Sequence, residues 1–266
     1  MGDYKLSQST LGDFEDQKSC KRKVYFRSVK KEIPRDPPSN QMIKGIVFET
    51  LALGESVSSS ELPDHGFLYT AKGAKSVELE RIELQAEKYR SMVNPASKDY
   101  IGFQQKRTQL TLENDFMKGV LDIEGIDDFG DTVISDLKFT ADVDNDRGDY
   151  AWGRDPNKID WKQLVFYRRL YEDNYESTRP PRTSIIVFDA SPRMGIKLFD
   201  IKLSDHYINS VIERASYLGG YIDRIQSGDI DIDLKVNPSK GNCDTCPLEC
   251  SFRFKDQEIK TIKVYV

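Results

Sequence analysis

Hydrophobic and polar residues alternate in three consecutive stretches in the first half of the chain. Residues 107–113 (RTQLTLE), 115–125 and 131–139 each carry the period of two that places alternate side chains on opposite faces of a strand. Ahead of them, residues 76–93 (SVELERIELQAEKYRSMV) repeat apolar positions with helical spacing among interleaved charges, and 41–53 (QMIKGIVFETLAL) reads as a buried helix. Residues 7–29 are compatible with one or two helical segments, and PRDPPSN at 34–40 breaks the chain after them. The Gly- and Ser-rich stretch 54–75 reads as loop, and so does the acidic, Gly-containing 141–156. Residues 158–173 (KIDWKQLVFYRRLYED) predict a helix with a strong apolar face. After the RPPR break at 179–182 come two strands, 183–189 and 195–202, and a long helix over 204–226. Helices, strands, a helix, two strands and a helix in this order predict a mixed central sheet flanked by helices in one α/β domain.

The segment GVLDIEGIDDFGDTVISDLKFT, residues 119–140, adds chemistry to that pattern. Its first strand carries Asp122. Its second carries Asp136 and Lys138, which alternation puts on one face. Two carboxylates and an ammonium at one spot match what metal-assisted phosphodiester hydrolysis needs: oxygens for Mg²⁺ or Mn²⁺ and a cation that orients water and offsets charge. A solvated acidic hairpin is the competing account of the same residues.

Bulk properties narrow the class. The chain has 266 residues, 38% of them hydrophobic, with 13 Phe and 13 Tyr, enough for a real core. Mean hydropathy is −0.58, and no apolar run is long enough for a membrane span. The N-terminus lacks a signal-peptide core, so the expected compartment is the cytoplasm, with no membrane partner. A net charge of −5 argues against a non-specific nucleic-acid coat protein, which needs excess Lys and Arg. It leaves room for an enzyme that meets nucleic acid through a local patch. Lys18, Lys21, Arg22, Lys23, Arg27, Lys30, Lys31 and Arg35 are such a patch, or else a solvated helix face.

Three further features accompany the hairpin. Glu49 lies inside an apolar helix, where a carboxylate is costly without a partner; a metal shared with Asp122 and Asp136 would be one, and a helix edge facing water is the alternative. Gln163 and Tyr167, four apart, share a helix face and can hydrogen-bond phosphate or water, or form a polar patch beside the core. The four cysteines are Cys20 near the start and Cys243, Cys246 and Cys250 near the end. Clustered thiols point to metal more than to disulfide, as a tetrahedral zinc site or an iron–sulfur anchor, against the plain reading of ordinary thiols.

These motifs together resemble the PD-(D/E)XK nucleases of the RecB-like group, particularly the iron-staple exonucleases that include CRISPR-associated and phage-encoded members. The resemblance runs through KLSQSTLGDFEDQKSCKRKVYFR with Cys20, GIVFE with Glu49, GVLD with Asp122, DLK with Asp136 and Lys138, QLVFY with Gln163 and Tyr167, and CDTCPLEC. It spans residues 5–250 in order. Two departures are visible: many members have His where Glu49 stands, and the last cysteine gap is short for the family.

The resemblance implies a restriction-endonuclease-like core in a single domain over 1–266, with 1–35 and 240–266 clipped together by the four cysteines around a [4Fe–4S] cluster, or structural Zn²⁺. It implies that Glu49, Asp122, Asp136 and the Leu137 carbonyl bind Mg²⁺ or Mn²⁺, that Lys138 orients water, and that Gln163 and Tyr167 position the scissile strand. The expected activity is a metal-dependent DNA exonuclease acting on ends or single strands in recombination, repair or spacer acquisition, with recombination or CRISPR-adaptation proteins as partners. A structure-specific endonuclease and an inactive DNA-binding scaffold are the rival readings.

Overall fold

The structure is a computed structural model that describes residues 4–54, 64–145, 152–153, 161–176, 179–230, 243–244 and 246–248. It divides into two compact units. The larger comprises Lys5–Gln8 and Pro37–Tyr217; the smaller comprises Met1–Tyr4, Ser9–Asp36 and Leu218–Val266.

The larger unit is built on a five-stranded sheet in the order β1-β2-β3-β4-β5. Its strands are β1 (Phe103–Glu113), β2 (Lys118–Asp127), β3 (Thr132–Thr140), β4 (Arg182–Asp189) and β5 (Ile196–Ile201). β3 and β4 are parallel and the other neighbours antiparallel. A parallel pair needs a crossover, and α5 (Lys162–Asn174) lies between β3 and β4 in the chain.

Two helices cover one face. For α3 (Asn40–Leu53), the Pro37–Pro38 pair stops any earlier helix. Ser39 caps the first turn, its Oγ accepting from the Met42 N–H at 3.3 Å, and Gly54 closes the other end at φ 72°. In α4 (Val77–Met92) Ser76 caps through the Leu79 N–H at 3.2 Å, with Glu78 and Glu80 in the first turn and Arg90 in the last, as the helix dipole favours. Leu79, Ile82, Ala86, Tyr89 and Met92 form one buried stripe that packs with Val47 and Phe48 of α3 on Ile123, Val133, Leu137, Ile186 and Phe188 of the sheet. The alternate residues of β4, Ile185 and Val187, face the other way, into a second cluster with Leu164 of α5 and Trp152. Helices thus lie on both faces, and β4 is buried from Thr183 to Asp189, with the apolar run Ile185–Phe188 at its centre, because both its faces are covered.

β1 starts four residues before the alternating stretch at 107. A bulge between Gln105 and Arg107 breaks its periodicity, so its first residues do not read as strand.

The smaller unit includes α1 (Gln8–Glu15), from Ser9 on, and α2 (Lys21–Val24), which runs into a π-helical turn at Tyr25–Val29. Arg27 pairs with Asp13 at 2.7 Å, and Lys23 is buried, so the basic stretch at 18–35 is partly structural. The final helix, α6 (Asp205–Gln226), begins in the larger unit and ends in the smaller.

The mixed sheet with flanking helices matches the sequence pattern, but the expected four-cysteine clip does not stand. Cys20 is the residue preceding α2, and Cys243 and Cys246 share a short turn closed by the Cys246 N–H on the Cys243 carbonyl at 3.2 Å. Cys20, Cys243 and Cys246 form no disulfide. Cys250 lies outside the described residues. Among the described residues no group of three or more His, Cys, Asp or Glu side chains is placed to hold a metal ion. Among the described residues neither a [4Fe–4S] cluster nor structural Zn²⁺ has a site, and the iron–sulfur part of the resemblance falls with it. The count and spacing of thiols say how many are available, not that they converge.

Candidate active site

The site forms where the sheet's ladders are interrupted. β2 and β3 pair from Ile126 and Thr132 as far as Ile123 and Ser135; continuing that register would pair Asp122 with Asp136, but the ladder stops there. On the other side of β2, Thr108 pairs with Ile123 and Leu110 with Leu121, while Gln109 and Asp122 between them are passed over. Gln109 has φ 48°, a left-handed backbone that is costly for a residue with a Cβ. Asp122 fills the gap it borders: its Oδ2 accepts from the Leu137 N–H at 2.9 Å, so a side chain does the work of a missing ladder carbonyl.

Six of the expected residues meet here. Asp122 and Asp136 are buried, Asp136 fully. The Lys138 ammonium stands 2.5 Å from Asp136 Oδ2 as an ion pair. Beyond that contact, both Asp136 oxygens are buried without a hydrogen-bond partner among the described residues. Lys138 also donates to Gln163 Oε1 at 3.0 Å, and Gln163 Nε2 donates to the Tyr167 hydroxyl at 2.5 Å, so α5 supplies a polar chain ending on a buried phenol. Glu49 comes from α3, where Gln109 Nε2 donates to its Oε1 at 2.6 Å. Leu137, the seventh expected residue, whose carbonyl is the fourth expected metal ligand, lies between Asp136 and Lys138 in β3.

The electrostatics follow from this crowding. Burial, then the charges of Asp136 and Glu49, push the Asp122 carboxyl well above the usual range, against the opposing pull of Lys138 and the Leu137 N–H. Burial acts to lower the Lys138 ammonium, but Asp136 and Asp122 outweigh it and hold its pKa above the ordinary lysine value. Burial and the same two aspartates raise the Tyr167 phenol, so it remains a donor.

Two residues along β2, Glu124 shows the opposite behaviour. Burial works against its carboxylate, yet the Arg107 guanidinium and the Tyr171 hydroxyl hold its pKa low. Arg107 Nη2 donates to Glu124 Oε1 at 2.8 Å, its Nε pairs with Oε2, and it stacks on Tyr175 with 4.7 Å to the ring centroid. Glu124 is a satisfied structural carboxylate; Asp122 and Asp136 are crowded ones, the arrangement that marks functional sites.

Gln109 is a site residue that sequence reasoning did not single out. It sits in an alternating strand, and nothing in RTQLTLE signals a left-handed backbone. A groove of about 590 Å³ opens beside the site, lined in part by Met42, Gly45, Ile46, Glu49, Lys138 and Phe139.

No family model matches the sequence, and no curated protein matches it. Among solved structures, the chain is similar to a crystal structure from Eubacterium rectale named "Putative exonuclease", with a TM-score of 0.60 and 15% sequence identity over 92% of this chain and 90% of that one. At that identity the likeness shows the fold alone. A second solved structure matches with a TM-score of 0.36 and 14% identity over 82% of this chain and 78% of that one, too low to bear on the fold. No described helix is long and apolar enough to cross a membrane.

Proposed function

We propose that the protein is a nuclease that hydrolyses phosphodiester bonds of DNA, acting from ends or on single strands and dependent on Mg²⁺ or Mn²⁺. The observation that carries the reading is the buried Asp122–Asp136 pair, with the Lys138 ammonium 2.5 Å from Asp136 Oδ2 and no other hydrogen-bond partner for the Asp136 oxygens among the described residues. Two carboxylates so close are costly unless a cation compensates them. The fold shared with the Eubacterium rectale structure and the name that structure carries point the same way.

Hard divalent cations prefer carboxylate and carbonyl oxygens, the donor set of Asp122, Asp136, Glu49 and Leu137. Those residues do not form a ready-made cage as they stand; Lys138 is the counter-charge at Asp136, and a divalent ion would compete with it. When bound, such an ion would polarise the phosphate and lower the pKa of water.

The chain's own residues supply the rest. Lys138, held as an ammonium, neutralises charge on the phosphate and orients the nucleophile without acting as a base. Gln163 fixes Lys138, and the protonated Tyr167 fixes Gln163. The test is cleavage of linear duplex, circular duplex and single-stranded DNA by purified protein with Mn²⁺, Mg²⁺ or EDTA. Mn²⁺-dependent loss of linear or single-stranded DNA supports the exonuclease reading; cleaved circles favour an endonuclease; no cleavage in any arm refutes hydrolysis.

A further inference from the structure

The groove beside the site has a feature that the protein's own packing does not explain. Gly45 lies in the middle of α3, where glycine costs about 0.5–1 kcal/mol relative to alanine. A Cβ added there would meet nothing within 4 Å, so no neighbouring side chain or backbone requires its absence. Gly45 shares a helix face with Glu49 four residues on. Around it, Met42 is 61% exposed and Ile46 37% exposed, while Phe139 of β3 lines the facing wall. The groove therefore presents apolar side chains together with Ser39, Gln41 and Thr140, and the charged Glu49 and Lys138 also line it.

We propose that this groove is a subsite for one unpaired DNA nucleotide adjoining the scissile phosphate, its base against Met42, Ile46 and Phe139 and its backbone passing over Gly45. The inference rests on the nuclease reading for the identity of the ligand. A volume of about 590 Å³ falls in the size range of pockets for one small ligand, roughly 300–1,000 Å³, and a duplex does not enter such a space. An apolar wall suits a base out of its stack, since every base presents a flat π-face and stacks without regard to sequence. The Lys138 ammonium suits the phosphate that follows it. The missing Cβ lets the sugar–phosphate backbone approach the helix closely, the use glycine serves wherever a ligand must pass near main chain.

The test measures binding without hydrolysis. A short fluorescein-labelled oligothymidylate and a blunt duplex of equal length are titrated by anisotropy with full-length Asp136→Asn protein, alone and combined with Gly45→Leu or Met42→Ser. The expected result is tighter binding of the single strand than of the duplex, and loss of that preference by about ten-fold in Gly45→Leu, with no fall in melting temperature. Met42→Ser, at an exposed position that the fold does not need, should weaken the single strand several-fold and so keeps the test decisive if Gly45→Leu folds poorly. Single-strand affinities unchanged in both variants, or no preference in the parent protein, would overturn the subsite. If the wild type cleaves no DNA but the preference depends on Gly45, the hydrolytic reading fails and the subsite stands; cleavage with no dependence on Gly45 or Met42 gives the reverse.

Discussion

Gln109 reaches Glu49 across 2.6 Å from a backbone held at φ 48°. The left-handed conformation costs about 1–2 kcal/mol for a residue with a Cβ, and the hydrogen bond it permits orients the carboxylate at the edge of the aspartate pair. Gln109→Gly should relieve the strain and cut the bond together. The expected outcome is a melting temperature equal to or above wild type, combined with about a ten-fold higher Mn²⁺ concentration at half-maximal cleavage, the size of loss usual for a group that orients a metal ligand. Superimposable Mn²⁺ titrations would show that Gln109 serves the backbone alone.

The aspartate pair predicts a pH-dependent stability. The Asp122 carboxyl is raised in the folded protein by burial, Asp136 and Glu49, so its ionisation opposes folding. The penalty is absent below the unfolded carboxylate pKa, grows as pH rises from there toward the raised folded value, and is complete above it. Asp122→Asn keeps an oxygen for the Leu137 N–H and removes the charge. Without divalent ions it should melt several degrees above wild type near neutral pH, and the difference should shrink to nothing as pH falls below the carboxylate range. A difference independent of pH would contradict the assignment of the shift.

Removing one charge of the Asp136–Lys138 pair should not be symmetric. Lys138→Met leaves Asp136 buried beside Asp122 with no counter-charge, and should lower the melting temperature. Asp136→Asn combined with Lys138→Met should restore it. Both of these variants, and Asp136→Asn alone, should cleave DNA at least about a hundred-fold more slowly than wild type, since each removes the ammonium that faces the reacting phosphate, a carboxylate proposed to hold the metal ion, or both. Wild-type cleavage by Asp136→Asn protein would refute the proposed site.

Arg107 offers the contrast. Its guanidinium satisfies Glu124, and Arg107→Ala would leave that buried carboxylate with the Tyr171 hydroxyl. The expected loss is about 1–3 kcal/mol of stability with cleavage retained at temperatures where the variant is folded. Loss of cleavage without loss of stability would move Arg107 into the site.

How far the sequence revealed this arrangement depends on whether the signal was local. Residues 41–53 and 76–93 read as helices because apolar spacing is a local signal, and α3 (Asn40–Leu53) and α4 (Val77–Met92) form there. Asp136 and Lys138 share a face for the equally local reason of strand alternation. The meeting of Glu49, Gln163 and Tyr167 with them is long-range, and only the motif order hinted at it. The interrupted ladder at Asp122 and the left-handed Gln109 are properties of pairing between strands, invisible to periodicity. The cysteines show the opposite error: their spacing in CDTCPLEC is an informative local pattern, yet convergence with Cys20 is a tertiary matter that spacing does not determine.

Among the described residues β1 is an edge strand, since the sheet begins with it. A strand edge of eleven residues would, if regular, be a template for another chain. The bulge between Gln105 and Arg107 and the left-handed turn of backbone at Gln109 divide that edge into runs too short and too bent to align with an incoming strand. The irregularity that shapes the site thus also disfavours strand addition along this edge, and a variant that straightened β1 would have a more regular sheet and a stickier one.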